Sequence, residues 1–226
     1  MIELKQITKT YLRDTAGKVQ ALKGIDLIVA DGEMCAIMGV SGSGKSTLLH
    51  IIGCLDRPTS GEYLLDNEDM NRIKNSRLYA IRNKKIGFVL QDYGLIEDKT
   101  VLENVIYPLV FSKGVGYFKM KRKALDALEK VGIRELARKK VSKLSGGQKQ
   151  RAAAARAIVN EPDIILADEP TAALDHNTAD SIMSLFRELN KNGATVIIVT
   201  HDKRIAEMCD KTYYISDGVI SEEVGV

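Results

Sequence analysis

Short apolar runs alternate with amphipathic stretches along most of this chain. Residues 2–8 and 25–30 read as strands, and Lys9-Thr10-Tyr11 between them is a polar stretch with one aromatic. Asp31-Gly32 turns the chain into 33–38, where Met34, Cys35, Ala36, Ile37 and Met38 form the unbroken apolar run of a buried strand. Leu48, Leu49, Ile51 and Ile52 then predict a helix over 46–53 that ends at Gly53. Turn signals crowd into Asp56-Arg57-Pro58-Thr59-Ser60-Gly61, and a short strand over 62–65 follows.

Further on, 76–83 reads as a short helix and 86–90 as a buried strand that delivers Gln91 at its end. From Asp92 to about Gly116 the pattern weakens. Pro108, Gly114 and Gly116 interrupt it, leaving a helical segment near 101–106. Leu125, Leu128 and Val131 share one face of a helix over 118–131. A second helix is expected to begin just after Ser145-Gly146-Gly147 and to run through an alanine-rich stretch to Val159, with Arg151 and Arg156 toward solvent or phosphate. The run 163–167 is a buried strand, and Ile182, Leu185, Phe186 and Leu189 mark the next helix. A strand over 195–200, a helix from about Lys203 and two short strands within 211–223 close the chain. Strands alternating with helices argue an α/β fold with a mainly parallel sheet covered on both faces, and 92–160, which lacks strands, a helical subdomain.

Composition narrows this reading without changing it. The 226 residues suffice for a sizeable core, and a net charge of +3 is too small to argue for nucleic acid. Lys119, Lys121, Arg122 and Lys123 form the densest basic cluster and read as the solvated start of a helix. No apolar run approaches the roughly 20 residues needed to cross a bilayer. The opening Ile2-Glu3-Leu4-Lys5 is strand-like, unlike a secretion signal. Cys35, Cys54 and Cys209 are odd in number and widely spaced, as expected of reduced thiols in a cytosolic protein.

The chemistry centres on Gly39-Val40-Ser41-Gly42-Ser43-Gly44-Lys45-Ser46-Thr47, which matches G-x-x-x-x-G-K-[ST] between a predicted strand and a predicted helix. Glycines allow successive backbone N–H groups to converge on one anion, and the helix N-terminus adds its dipole. Lys45 is expected to reach the β- and γ-phosphates of a nucleoside triphosphate, and Ser46 to ligate Mg²⁺. Such a loop needs a carboxylate at a nearby strand end, and Ile164-Ile165-Leu166-Ala167-Asp168 supplies it. Glu169 comes next and is placed to hold the attacking water.

Leu144-Ser145-Gly146-Gly147-Gln148 lies 100 positions after Lys45 (145 − 45) and 23 before Asp168 (168 − 145). With this LSGGQ pentapeptide the chain resembles the ATP-binding-cassette (ABC) ATPases over nearly its whole length. Through Ile51-Ile52-Gly53-Cys54-Leu55-Asp56-Arg57-Pro58-Thr59-Ser60-Gly61 it is most similar to ATP-binding subunits of macrolide-efflux, lipoprotein-release and bacteriocin-export transporters.

The resemblance implies a single domain over 1–226. Its parts are a phosphate-loop core with an antiparallel β subdomain (1–91 and 161–226) and a helical signature subdomain (about 92–160). It further implies that Tyr11 stacks on adenine and that Gln91 contacts Mg²⁺ or water and senses the γ-phosphate. Ala172-Ala173-Leu174-Asp175 then forms the D-loop, with Ala172 where the group more often has Ser or Gly, and His201 contacts the γ-phosphate. Ser145, Gly146, Gly147 and Gln148 make a second anion cradle at a helix N-terminus. Two chains placed head to tail would then sandwich two ATP molecules between Lys45 of one and Ser145 of the other. The implied setting is the cytoplasmic face of a membrane, with a separate permease as partner, docked through 92–100 where Tyr93, Leu95 and Ile96 lack a period. About a hundred residues between loop and signature leave no room for the coiled coil of chromosome-associated relatives. One head per chain also departs from translation-associated ones.

Overall fold

The computed structural model describes residues 1–13, 17–112, 114–172 and 174–223. It divides into two compact units, Met1–Tyr79 with Thr195–Val226, and Ala80–Ala194.

In the first unit β1 (Ile2–Arg13) pairs antiparallel with β2 (Gly17–Val29) and with β4 (Ser60–Leu65), and β4 with the two-residue β5 (Glu68–Asp69). Ile2, Leu4, Ile7, Leu22, Ile25, Leu27 and Val29 are buried. The change of phase between Leu4 and Ile7 is a bulge, with Gln6 at φ 49° and its amide donating to Asp26 Oδ1 at 2.8 Å. Both strands run well past the limits the apolar pattern predicts, and Tyr11 sits within β1. Apart from the buried Leu22, the outer arms are held by their own ladder and by loop contacts, among them Thr59 N–H to Thr8 O at 2.8 Å. Leu12 is accordingly 78% exposed.

β3 (Met34–Met38), buried at every position, runs parallel to β8 (Thr195–Thr200) on one side and β9 (Lys211–Ser216) on the other. β9 returns as β10 (Val219–Glu223) through Asp217 and Gly218, both at positive φ as a type I′ hairpin turn requires. α1 (Lys45–Ile52) packs on β2 and β8. Gly53 does end this helix, but in a right-handed conformation (φ −76°), and the left-handed residue is Cys54 at φ 55°. α7 (Lys203–Ala206) is a single turn. All three cysteines are free thiols, and burial pushes that of Cys35 well above the ordinary range.

α2 (Asn75–Lys85) leads into the second unit, where β6 (Ile86–Val89) pairs parallel with β7 (Ile164–Asp168). α5 (Gly146–Ile158) lies against β6, α3 (Val101–Val110) and α4 (Tyr117–Lys130). Ala152, Ala153, Ala154 and Ala155 are all buried, because methyl side chains let three neighbours close in on one helix. Gly87 serves the same packing, since a Cβ there would lie 2.4 Å from Ala157 O. α6 (His176–Lys191) buries Ala179, Ile182, Met183, Leu185 and Phe186.

Two expectations need correction here. Pro108 does not interrupt α3 but lies inside it. The capping box of Thr100 with Glu103 and the buried Val101, Val105 and Leu109 outweigh the one amide bond that proline forfeits. On α4 Leu128 and the capping Val131 are buried as expected, but Leu125 is only half-buried, and Ala124 and Ala127 complete the buried face. Lys119, Lys121 and Arg122 are exposed on its first turns, as expected of the basic cluster. Among the described residues no helix is long and apolar enough to cross a membrane.

Candidate functional site: a phosphate loop and a signature helix

The phosphate loop, 39–44, joins β3 to α1. Gly39 (φ 156°) could carry no side chain, because a Cβ would lie 2.2 Å from Ile215 O. Gly44 (φ 109°) caps α1, and a Cβ there would come within 2.6 Å of Ala21 O. No side chain caps this helix and no acid stands in its first turn, so its leading amides and dipole are available to an anion. Lys45 Nζ donates to Gly39 O at 2.7 Å and Val40 O at 2.8 Å, which holds the ammonium within the arc of the loop. Ser46 is exposed beside it. The Ser43 hydroxyl is buried without a hydrogen-bond partner, an orphaned polar atom in the wall of the loop.

β3 and β8 end level, with Met38 opposite Thr200. Gly39 and His201 are the next residues of the two strands, so parallel pairing sets the start of the loop beside the histidine. Asp202 shapes the turn after His201, its amide donating to Thr200 Oγ1 at 3.1 Å and its carboxylate capping α7. Tyr11 is placed by its hydroxyl, which donates to Asp56 Oδ2 at 2.8 Å. Lys9 Nζ lies 4.8 Å from the centre of the Tyr11 ring and donates to Asp56 Oδ1 at 2.6 Å.

The second unit repeats the strand-end device. Val89 of β6 is opposite Ala167 of β7, so Gln91 and the pair Asp168-Glu169 leave neighbouring strand ends on the same side. Asp168 is buried (8% exposed), whereas Gln91 is exposed. Glu169 adopts φ 46°, a left-handed conformation unusual for a residue with a side chain. Strained backbone of this kind clusters at functional sites.

Ser145 caps α5 in a reciprocal box with Gln148: Gln148 N–H donates to Ser145 Oγ, and Ser145 N–H to Gln148 Oε1. The box occupies the serine hydroxyl and the glutamine amide, so it caps neither Gly146 N–H nor Gly147 N–H in the first turn of α5. Asp175 caps α6, accepting from Thr178 N–H at 3.0 Å and Thr178 Oγ1 at 2.7 Å. Those bonds lower its pKa below the ordinary carboxylate value. Ala173 of the expected D-loop lies outside the described residues.

Arg151 and Arg156 correct the reading that aimed them at solvent or phosphate. Arg151 donates to Val131 O at 3.0 Å, and Arg156 to Tyr93 O at 2.8 Å and to Gly94 O. Both close main-chain turns, the guanidinium fork reaching backbone carbonyls distant along the chain. Sequence reasoning also missed Asn104. Its buried side chain takes the Ile96 amide at 2.8 Å and donates to Ile96 O at 3.1 Å and Thr100 O at 2.9 Å. A lone amide on the apolar face of α3 was the available signal. Asn104→Ala is expected to cost about 2–4 kcal/mol by stranding these groups, measurable by urea denaturation.

Among the described residues no three His, Cys, Asp or Glu side chains gather to hold a metal. The hydroxyl of Ser46 in the first unit and the carboxylate of Asp168 in the second are each hard oxygen donors of the kind that Mg²⁺ takes.

A glycine loop opening an uncapped helix in one unit, and acids at a parallel strand end in the other, are the parts of a phosphate-loop nucleoside triphosphatase. The family model described as ABC transporter matches residues 22–172, and the chain belongs to that family. It is 50% identical over 220 residues to the uncharacterised ABC transporter ATP-binding protein YvrO of Bacillus subtilis, covering 96% of this chain and 94% of the relative. It is 44% identical to the lipoprotein-releasing system ATP-binding protein LolD of Bacteroides fragilis, over 97% of this chain and all of the relative. The solved dimeric post-hydrolysis structure of the ATP-binding cassette MJ0796 of Methanocaldococcus jannaschii, bound to ADP and Pi, superposes with a TM-score of 0.94 at 44% identity, covering 100% of both chains. The chain is an α/β ATPase cassette that binds and hydrolyses ATP.

Proposed function

We propose that this chain is the motor subunit of an exporter: it closes head to tail with a second copy around two ATP and drives a separate permease from the cytoplasmic face of the membrane. The observation that carries the reading is the presence of two helix N-termini with free glycine amides, one in each unit: 39–44 with α1 in the first, Ser145–Gly147 with α5 in the second. In this arrangement each triphosphate lies between the phosphate loop of one copy and the signature helix of the other. The dimeric state of the MJ0796 cassette and the lipoprotein-releasing role in the name of LolD support it.

In this reading the loop amides and Lys45 bind the β- and γ-phosphates, and Tyr11 takes the base. Glu169 accepts a proton from the attacking water, and His201 and Gln91 contact the γ-phosphate and its water. Asp175 orders the D-loop between the two copies. Ser46 and Asp168, with Gln91, would hold Mg²⁺, which offsets phosphate charge when bound.

The permease is received on the second unit through 92–100. Ile96 is 46% exposed, and Tyr107, Val110, Phe111, Tyr117 and Phe118 are exposed apolar side chains of the same unit. Arg156 and Asn104 fix the backbone of this segment, so a partner meets a preformed surface. Leu95→Asp with Ile96→Asp is expected to release the chain from membranes containing its permease, while the free subunit stays folded and hydrolyses ATP. Co-sedimentation and phosphate release measure this; a double variant that still sediments at full strength places the docking surface elsewhere.

A further inference from the structure

We propose that Lys9 and Asp56 are positioning residues for the nucleotide base: they hold the Tyr11 ring so that a base can stack on one face only. This rests on the reading of Tyr11 as the base platform. A tyrosine on the arm of a hairpin is by itself a poor platform, since the ring of an exposed side chain turns freely and ordering it on binding costs entropy. Here both the ring and its hydroxyl are tied down. The hydroxyl donates to Asp56 Oδ2 at 2.8 Å. Lys9 Nζ stands over the ring at 4.8 Å, within cation–π reach, and its charge is held there by Asp56 Oδ1 at 2.6 Å and Arg57 O at 2.7 Å. One face of the ring is thereby taken by the ammonium, so a base that stacks on Tyr11 must do so on the opposite face.

Asp56 is itself anchored. Its Oδ1 accepts from Arg57 N–H at 2.7 Å, and the Arg57 guanidinium is fixed by Asn71 O, Ile73 O and Asn75 Oδ1. The turn 56–60 is stitched to β1 by Thr59 N–H to Thr8 O and by Thr10 N–H to Thr59 Oγ1 at 3.0 Å. The consequence is a preorganised platform on the arm of β1, which favours a triphosphate that carries a base over a bare polyphosphate chain.

The test compares binding of ATP and of inorganic triphosphate, each with Mg²⁺, to the full chain by calorimetry. Stacking on an aromatic ring corresponds to about 5- to 150-fold in affinity, so Tyr11→Ala is expected to bring the two ligands together by a factor in that range. Lys9→Met and Asp56→Ala are expected to lower ATP affinity at least about threefold and to leave triphosphate affinity unchanged. Asp56→Asn serves if the alanine variant does not fold. If Lys9→Met and the Asp56 variants weaken both ligands equally, or neither, the pair is a brace of the hairpin and the proposal is overturned while Tyr11 stacking stands. If Tyr11→Ala leaves the ATP-to-triphosphate ratio untouched, the base lies elsewhere and the reading beneath the proposal falls with it.

Discussion

Lys45→Ala is expected to cut ATP turnover about 10²- to 10³-fold, equivalent to about 3–4 kcal/mol of lost transition-state stabilisation. The ammonium sits within the arc of the phosphate loop on the carbonyls of Gly39 and Val40, where an anion bound by the loop amides would meet it. Charge-assisted contacts of this kind are roughly twice as strong as neutral ones. The lysine stem is only half-buried, so the loss of activity is expected to far exceed any loss of stability. Phosphate release at saturating ATP, set beside the thermal midpoint of the same preparation, separates the two. A variant with near-normal turnover would remove the phosphate loop from the chemistry.

Glu169→Gln is expected to slow hydrolysis at least about 100-fold while preserving ATP binding, because an amide cannot take the proton of the attacking water. The two side chains are nearly isosteric, so the left-handed turn at φ 46° persists and the change is confined to charge. With the γ-phosphate uncleaved, and one negative charge removed from its surroundings, the paired state of the subunit accumulates. Light scattering is expected to report a dimer with ATP and a monomer with ADP. A variant that remains monomeric at saturating ATP would overturn the sandwich.

The sequence disclosed what depends on local pattern. Glycines at 39, 42 and 44 ahead of Lys45, the apolar run leading to Asp168 and the serine opening an alanine helix are contiguous motifs, and each lies on the predicted kind of element. What it withheld depends on partners distant along the chain. The outer arms of β1 and β2 lack apolar alternation because they are sustained by pairing, so they read as loop. Pro108 reads as a breaker because proline's lost amide is visible in sequence, whereas the compensating cap and core contacts are not. Asn104, Arg156, Lys9 and Asp56 are ordinary polar residues until folding brings each to its partner, 8, 63, 47 and 45 positions away for the bonds Asn104–Ile96, Arg156–Tyr93, Lys9–Asp56 and Tyr11–Asp56.

The level strand ends, Met38 against Thr200 and Val89 against Ala167, bear on how this chain tolerates insertions and deletions. Within each pair the spacing of the emerging residues is set by strand register and not by loop length. One residue added inside β3 or β7 would advance the following group by about 3.3 Å and turn every later side chain of that strand to the other face. Residues added between α3 and α4 leave both registers untouched. Changes in the length of that connection are therefore expected to be tolerated, and changes within β3 or β7 to be disruptive.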